Sequence, residues 1–319
     1  ACHYFLNINS TSLGCDVYIK MKKEGKDHFV KCLHSTDNFT RSDIEKYMNQ
    51  GLQEFWVSKS HFVQFVNFVT NQFVVKLDEE KLESVERINV TGDAYKITME
   101  RIQSLGLDEF AVNVAEASIK SMTASINENN ALGSFLKSMK VNTLSYAYAN
   151  AYLCSLILQK VAIFDWCTAS IKDKLTYVAY FHNCSLKDEK LMKILSYEQL
   201  EAANLPSKER EIVLGHALQS ASMVEKFPSV PEGVGTIIKE HHGAKNGIGF
   251  PEFINTTISP VSMMFIVVED FVDEFLKVSE KPTKADFEAI HAHLSKRYTS
   301  HTYVLTLKAL EEIIFKKNL

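Results

Sequence analysis

From Val141 to the C-terminus, apolar side chains recur at helical spacing, broken only by short loops. Ahead of about residue 77 the pattern differs, and short alternating runs sit among helices. Cys15 to Met21 alternates like a strand, Lys22 to Asp27 reads as a turn, and His28 to Leu33 as the returning strand. Thr40-Arg41-Ser42-Asp43 opens a helix to about Gln50, which Gly51 stops. Glu54 to Val57 reads as a third strand. Ser60 is placed to cap a second helix, with Phe62, Phe65, Val66 and Val69 on one face. These signals predict a small α+β module over 1–77. Residues 78–140 read as a helical connector, charged at first and broken at Gly92 and Gly106. Residues 141–319 form a helical domain. The fold class expected is mostly α, an all-helical domain preceded by a small α+β domain.

The length of 319 residues accommodates two domains with buried cores. An apolar fraction of 46% and a charged fraction of 23% are ordinary for a soluble globular protein. The formal charge is −4 and no long basic block is present, which sets aside a nucleic acid duplex as partner. The six cysteines form no Cys-x-x-Cys pair, so reduced thiols in a cytoplasmic protein are expected, not a disulfide frame or zinc knuckle. The most apolar run, roughly Thr143 to Leu158, is interrupted by Asn150 and closed by Gln159-Lys160. It is too short and too polar to span a membrane, and a buried helix is expected. The chain begins Ala-Cys-His without a charged n-region, so no secretory signal is expected.

The chemistry centres on His241-His242-Gly243-Ala244-Lys245-Asn246-Gly247-Ile248-Gly249-Phe250-Pro251. Adjacent imidazoles reach one metal only if the backbone is held in one geometry. The glycines permit positive φ angles, and Pro251 fixes the exit of the turn. Upstream, His182-Asn183 follow a helical stretch over Lys172 to Phe181. Ser207 is placed to cap the next helix, and His216 falls midway along it. Downstream, Ser259-Pro260 open another helix, with Asp270 inside its apolar body. A carboxylate among such neighbours is costly to bury unpaired, and a cation offsets that cost. Each residue also has a plainer role open to it. His182 could complement a helix dipole, His216 could be a satisfied core histidine, and Asp270 could face solvent or pair with a lysine. Asp273, three residues on from Asp270, could support a ligand or lie at the surface. His28, His34 and His61 read as surface or packing residues.

In order and spacing these residues resemble the HD-GYP family, the cyclic-di-GMP phosphodiesterases among the HD-type metal phosphohydrolases. The resemblance covers about 141–319. The family's His-Asp pair corresponds to His182-Asn183 and its next lone histidine to His216. Its His-His-Glu-x-x-Asp-Gly-x-Gly-Tyr-Pro element runs against His241 to Pro251. Its Asp-x-x-Asp helix matches Asp270 and Asp273, and its Arg-Pro-x-Lys resembles Lys281-Pro282-Thr283-Lys284. The first module also looks like the small N-terminal domain that often precedes this family.

Several positions depart from the family pattern. The metal-bridging aspartate is Asn183, and the lysine expected three residues later is Leu186, with Lys187 adjacent. The glutamate after the paired histidines is Gly243, the following aspartate is Asn246, and the name-giving tyrosine is Phe250. The family's first histidine ligand has no clear match, and Tyr146 or Asn150 lies near its place. The resemblance implies one or two transition metal ions (iron, manganese or zinc) held by His182, Asn183, His216, His241, His242, Asp270 and Tyr146. It implies catalytic roles for His182, Asn183 and Lys187, substrate contacts from Lys281, Lys284 and Phe250, and Asp273 behind the ligands. The expected function is a divergent phosphodiesterase that acts on or binds cyclic-di-GMP through a metal-activated water. The alternatives are a catalytically impaired receptor or signalling scaffold with a protein partner, and a hydrolase of another phosphate ester. A neutral Asn183 is a poorer bridge than a carboxylate, so one metal is expected to be held less tightly.

Overall fold

The structure is a computed structural model that describes residues 2–8, 12–79, 82–128, 134–135, 138–139, 144–161, 167–252, 257–278 and 283–316. Strands β1 (Val17–Lys23) and β2 (Lys26–Leu33) pair antiparallel, and β3 (Trp56–Val57) adds to the other edge of β1, giving the order β2-β1-β3. The hairpin is tighter than the sequence implies. Glu24 and Gly25 alone make the turn, both with positive φ, as the twist of a two-residue connection demands. Helix α1 (Arg41–Asn49) carries a capping box, Thr40 and Asp43 each accepting from the other's backbone N–H. Helix α2 (Phe62–Leu77) starts after His61, and Ser60 lies in the 3₁₀ turn Lys59–His61, so the expected serine cap is absent.

Helices α3 (Ser84–Leu105) and α4 (Glu109–Ile126) stand between two hydrophobic cores. Val90, Ala94 and Ile97 of α3 face the core of the N-terminal module, with Phe5, Val17, Phe73 and Leu77. Ile88, Tyr95, Met99 and Ile102 face the larger helical core. Gly106 ends α3 with φ +86°, as expected. Gly92 does not break the helix. A Cβ there would meet the Tyr148 ring at 2.9 Å, so its bare Cα lets α3 approach the next helix closely.

That helix, α5 (Tyr146–Val161), is apolar on nearly every side and buried on nearly every side, as the sequence predicts. Helix α6 (Ala169–Phe181) packs along it, and the short α7 (Glu189–Met192) and α8 (Tyr197–Ala202) and then α9 (Ser207–Val224) follow in the chain. They are followed by α10 (Val234–Glu240), α11 (Pro260–Lys277), α12 (Lys284–Arg297) and α13 (His301–Lys316). Ser259 caps α11 ahead of Pro260, as expected. Ser207 is instead the first residue of α9, and Pro206 precedes it without a side-chain cap. Among the described residues, no helix is long and apolar enough to cross a membrane.

Candidate metal centre

Three helices deliver the four histidines. His182 follows the last turn of α6, His216 sits in the middle of α9, and His241 and His242 close α10. Each connection is fastened. The loop after His182 is tied to α9 where Ser185 Oγ donates to the His216 carbonyl at 3.1 Å and Ser220 Oγ donates to Ser185 Oγ at 2.9 Å. The buried carboxylate of Glu240 accepts from Ser259 N–H at 3.0 Å and Ser262 Oγ at 2.7 Å, joining the end of α10 to the start of α11.

The glycine-rich turn clasps α9. Leu218 N–H donates to the Gly247 carbonyl at 3.1 Å, and Gly249 N–H donates to the Leu214 carbonyl at 2.8 Å. Asn246 turns its side-chain oxygen to Ile248 N–H at 3.1 Å, which shapes the turn from within. Gly247 has φ +73°, and a Cβ there would lie 3.2 Å from the Leu218 backbone. Gly247→Ala is therefore expected to cost more than about 1 kcal/mol of stability, read by urea unfolding. An unchanged midpoint would show that the turn does not fasten to α9.

The imidazoles of His216, His241 and His242 converge. Each offers one ring nitrogen, and these atoms lie within 4.8 Å of one another in a fully buried site. His216 Nε2 is 3.2 Å from His241 Nε2 and 3.0 Å from His242 Nε2. The opposite nitrogens fix the tautomers. His216 Nδ1 lies 2.6 Å from the Val213 carbonyl and His241 Nδ1 lies 2.6 Å from the Ile238 carbonyl. A carbonyl only accepts, so both Nδ1 atoms carry the proton and both Nε2 atoms present bare lone pairs. Two lone pairs facing at 3.2 Å repel unless a cation lies between them. Burial lowers the His216 pKa to about 4 and those of His241 and His242 well below the ordinary histidine value, with the neighbouring imidazoles adding to the effect. The rings are thus neutral near pH 7, which is the form that binds metal. The donor set and its orientation fit a transition metal ion.

His182 adjoins this triad, its ring 5.4 Å from that of His241. Its Nδ1 points to the Ala179 carbonyl at 3.0 Å, and its Nε2 lies 3.1 Å from Glu269 Oε1. Among the described residues, neither atom of that close pair makes an aligned hydrogen bond, and both are buried. Glu269 is the site residue that sequence reasoning missed. It lies one helical turn beyond Phe265, whose ring packs 5.3 Å from His182 and 6.3 Å from His241. An i,i+4 reading of α11 from that phenylalanine would have found it.

The other expected site residues are placed differently. Asp270 stands outside the triad, and its Oδ2 accepts from Arg297 Nη1 at 2.7 Å and from the Tyr298 hydroxyl. Burial pushes its pKa up to about 6, against the pull of Arg297. Tyr146 donates to Asp273 at 2.7 Å, and Asp273 also pairs with Lys277 at 2.7 Å. Burial, then the Asp273 charge, raise the Tyr146 pKa well above its usual value. Asn183 is buried beside His182. Phe250 packs on His242 with ring centroids 4.3 Å apart. Lys187 is exposed at a separate hollow that Gln103 and Glu189 also line. Lys284 is exposed in the first turn of α12, 3.6 Å from Glu288. Lys281 lies outside the described residues. His28, His34 and His61 are exposed, as expected.

The helical architecture and the buried histidine triad together define an HD-type fold with a candidate metal centre. The solved structure of Bd1817, described as an HDG"Y"P protein from Bdellovibrio bacteriovorus, matches over 97% of this chain and 97% of its own. The TM-score is 0.53 at 13% sequence identity, so the chain has an HD-GYP-like fold, including the small α+β part ahead of the helical domain. No protein-family model matches the chain, and no curated protein matches it.

Proposed function

We propose that this chain is a divergent HD-GYP-type protein that binds a transition metal ion through His216, His241 and His242 and acts on, or binds, a phosphodiester such as cyclic-di-GMP. One observation carries the metal reading. The backbone carbonyls of Val213 and Ile238 claim the Nδ1 protons and leave two Nε2 lone pairs facing each other in a buried site. A metal in such a site supplies Lewis acidity toward a phosphoryl oxygen and acidifies a water. A second, weaker position at His182 and Glu269 has support in another unmet pair, a buried Nε2 opposite a carboxylate oxygen. There Glu269 provides the negative charge that Asn183 lacks. Asn183 remains an amide that can donate as well as accept, and Phe250 provides an apolar wall against His242 in place of a phenol.

The amide at 183 and the apolar ring at 250 also favour the second reading, a receptor or scaffold that retains the metal and has lost turnover. Elemental analysis of anaerobically purified protein, beside a cyclic-di-GMP hydrolysis assay, separates the two. About one iron, manganese or zinc per chain with product formed supports the enzyme. The same metal content with nucleotide binding and no product supports the receptor. Metal at background after loading would remove the common basis of both.

A further inference from the structure

A second site lies far from the histidines in the sequence and is independent of the metal reading. Between the N-terminal module and α3 is a cavity of about 380 Å³. Its walls are apolar, with Phe5, Val17, Phe55, Phe65, Val66 and Ile97 among them. That volume falls near the low end of the roughly 300–1,000 Å³ common for small-molecule sites. The polar groups on the wall come from consecutive turns of α3, namely Glu100, Arg101 and Ser104.

Arg101 is the unusual member of that wall. Its side chain is 2% exposed, so a full positive charge is held in an apolar setting. Asp108 takes one edge of the guanidinium, with Nε donating at 2.8 Å, and the Phe110 ring covers it at 5.0 Å. The Nη1 nitrogen has almost no accessible surface even with the cavity open and no hydrogen-bond partner among the described residues, so an acceptor meets it once the side chain shifts. A buried donor left unmet is costly, and an incoming acceptor recovers that cost. A carboxylate is favoured over a neutral oxygen because charge-assisted bonds are roughly twice as strong. The apolar remainder of the cavity calls for a hydrocarbon tail.

We propose that this cavity binds a small monocarboxylate with an alkyl or aryl tail, its head bonded to Arg101 and its tail among the phenylalanines. Isothermal titration of the full chain with octanoate, 1-octanol and octanedioate tests this. Octanoate is expected to saturate at about one per chain. Octanol is expected to bind at least about tenfold more weakly, for loss of a hydrogen bond to a charged group. Octanedioate is expected to be weaker than octanoate. Val66→Phe, which fills the cavity from half-buried α2, should abolish octanoate binding while the circular dichroism spectrum stays unchanged. Arg101→Gln should bring octanoate down to the level of octanol. If that variant fails to fold, because Arg101 also holds the cap of α4, the octanol comparison and Val66→Phe still decide. Equal binding of octanoate and octanol, full binding by Val66→Phe, or no saturable octanoate binding would each overturn the proposal.

Discussion

His216→Ala is expected to lower metal content from about one ion per chain to background and to weaken metal affinity by more than about 100-fold. His216 is the middle member of the triad, its Nε2 within 3.2 Å of both partners' Nε2 atoms. Removing merely the hydrogen-bond partner behind a ligand commonly costs 10–100-fold in metal affinity, and removing the ligand itself costs more. A linked stability effect follows. With free metal at 100 times the dissociation constant, the native protein gains about 2.7 kcal/mol over its metal-free form, and the variant gains at most about 0.4 kcal/mol. Thermal unfolding with and without metal reads this directly. His182→Ala provides the contrast, because its loss leaves the triad complete and should spare the tighter ion. Wild-type metal content in His216→Ala would disprove the triad.

The second large effect concerns Asp270. Arg297→Met is expected to destabilise the protein by about 3 kcal/mol, measured by urea unfolding at pH ~9, because at pH ~7 an Asp270 with a pKa of about 6 would protonate once Arg297 is gone and relieve most of the loss. Asp270 is 7% exposed and relies on Arg297 and Tyr298 for its charge. Breaking a buried ion pair from one side costs about 3–5 kcal/mol, since the remaining charge is stranded. The lower end applies because 29% of the Arg297 side chain meets solvent. Asp270→Asn in the Arg297→Met background should recover part of the loss, because an amide asks less of its surroundings. A cost below about 1 kcal/mol would show that the pair contributes little more than a surface ion pair.

Much of the fold was legible because its signals are local. The buried α5 was written as an unbroken apolar run, and the Ser259-Pro260 start of α11 as a cap followed by proline. The paired histidines ahead of the glycine turn gave the core of the site, since spacing and turn chemistry both act over a few residues. Other features depended on contacts between distant segments. Gly92 looks like a break in one dimension, but the Tyr148 ring from another helix explains it as a point of close approach. The Asp-x-x-Asp spacing drew attention to Asp270. Which of the two adjacent carboxylates faces His182 depends on how α11 is rotated against α6, and that is set by Phe265 packing on the imidazoles. Arg297 and Tyr298, which hold Asp270, come from α12 and its end. No short-range pattern links them to α11.

The double-sided packing of α3 limits how this chain can change length. Each residue advances a helix by about 100°. One residue inserted between Ile88 and Ala94 would swing every later rung by that angle. Ile97 would leave the module's core, and Met99 and Ile102 would leave the helical core in the same stroke. Substitutions along α3 can be absorbed one position at a time, but an insertion or deletion there misaligns both halves of the molecule together.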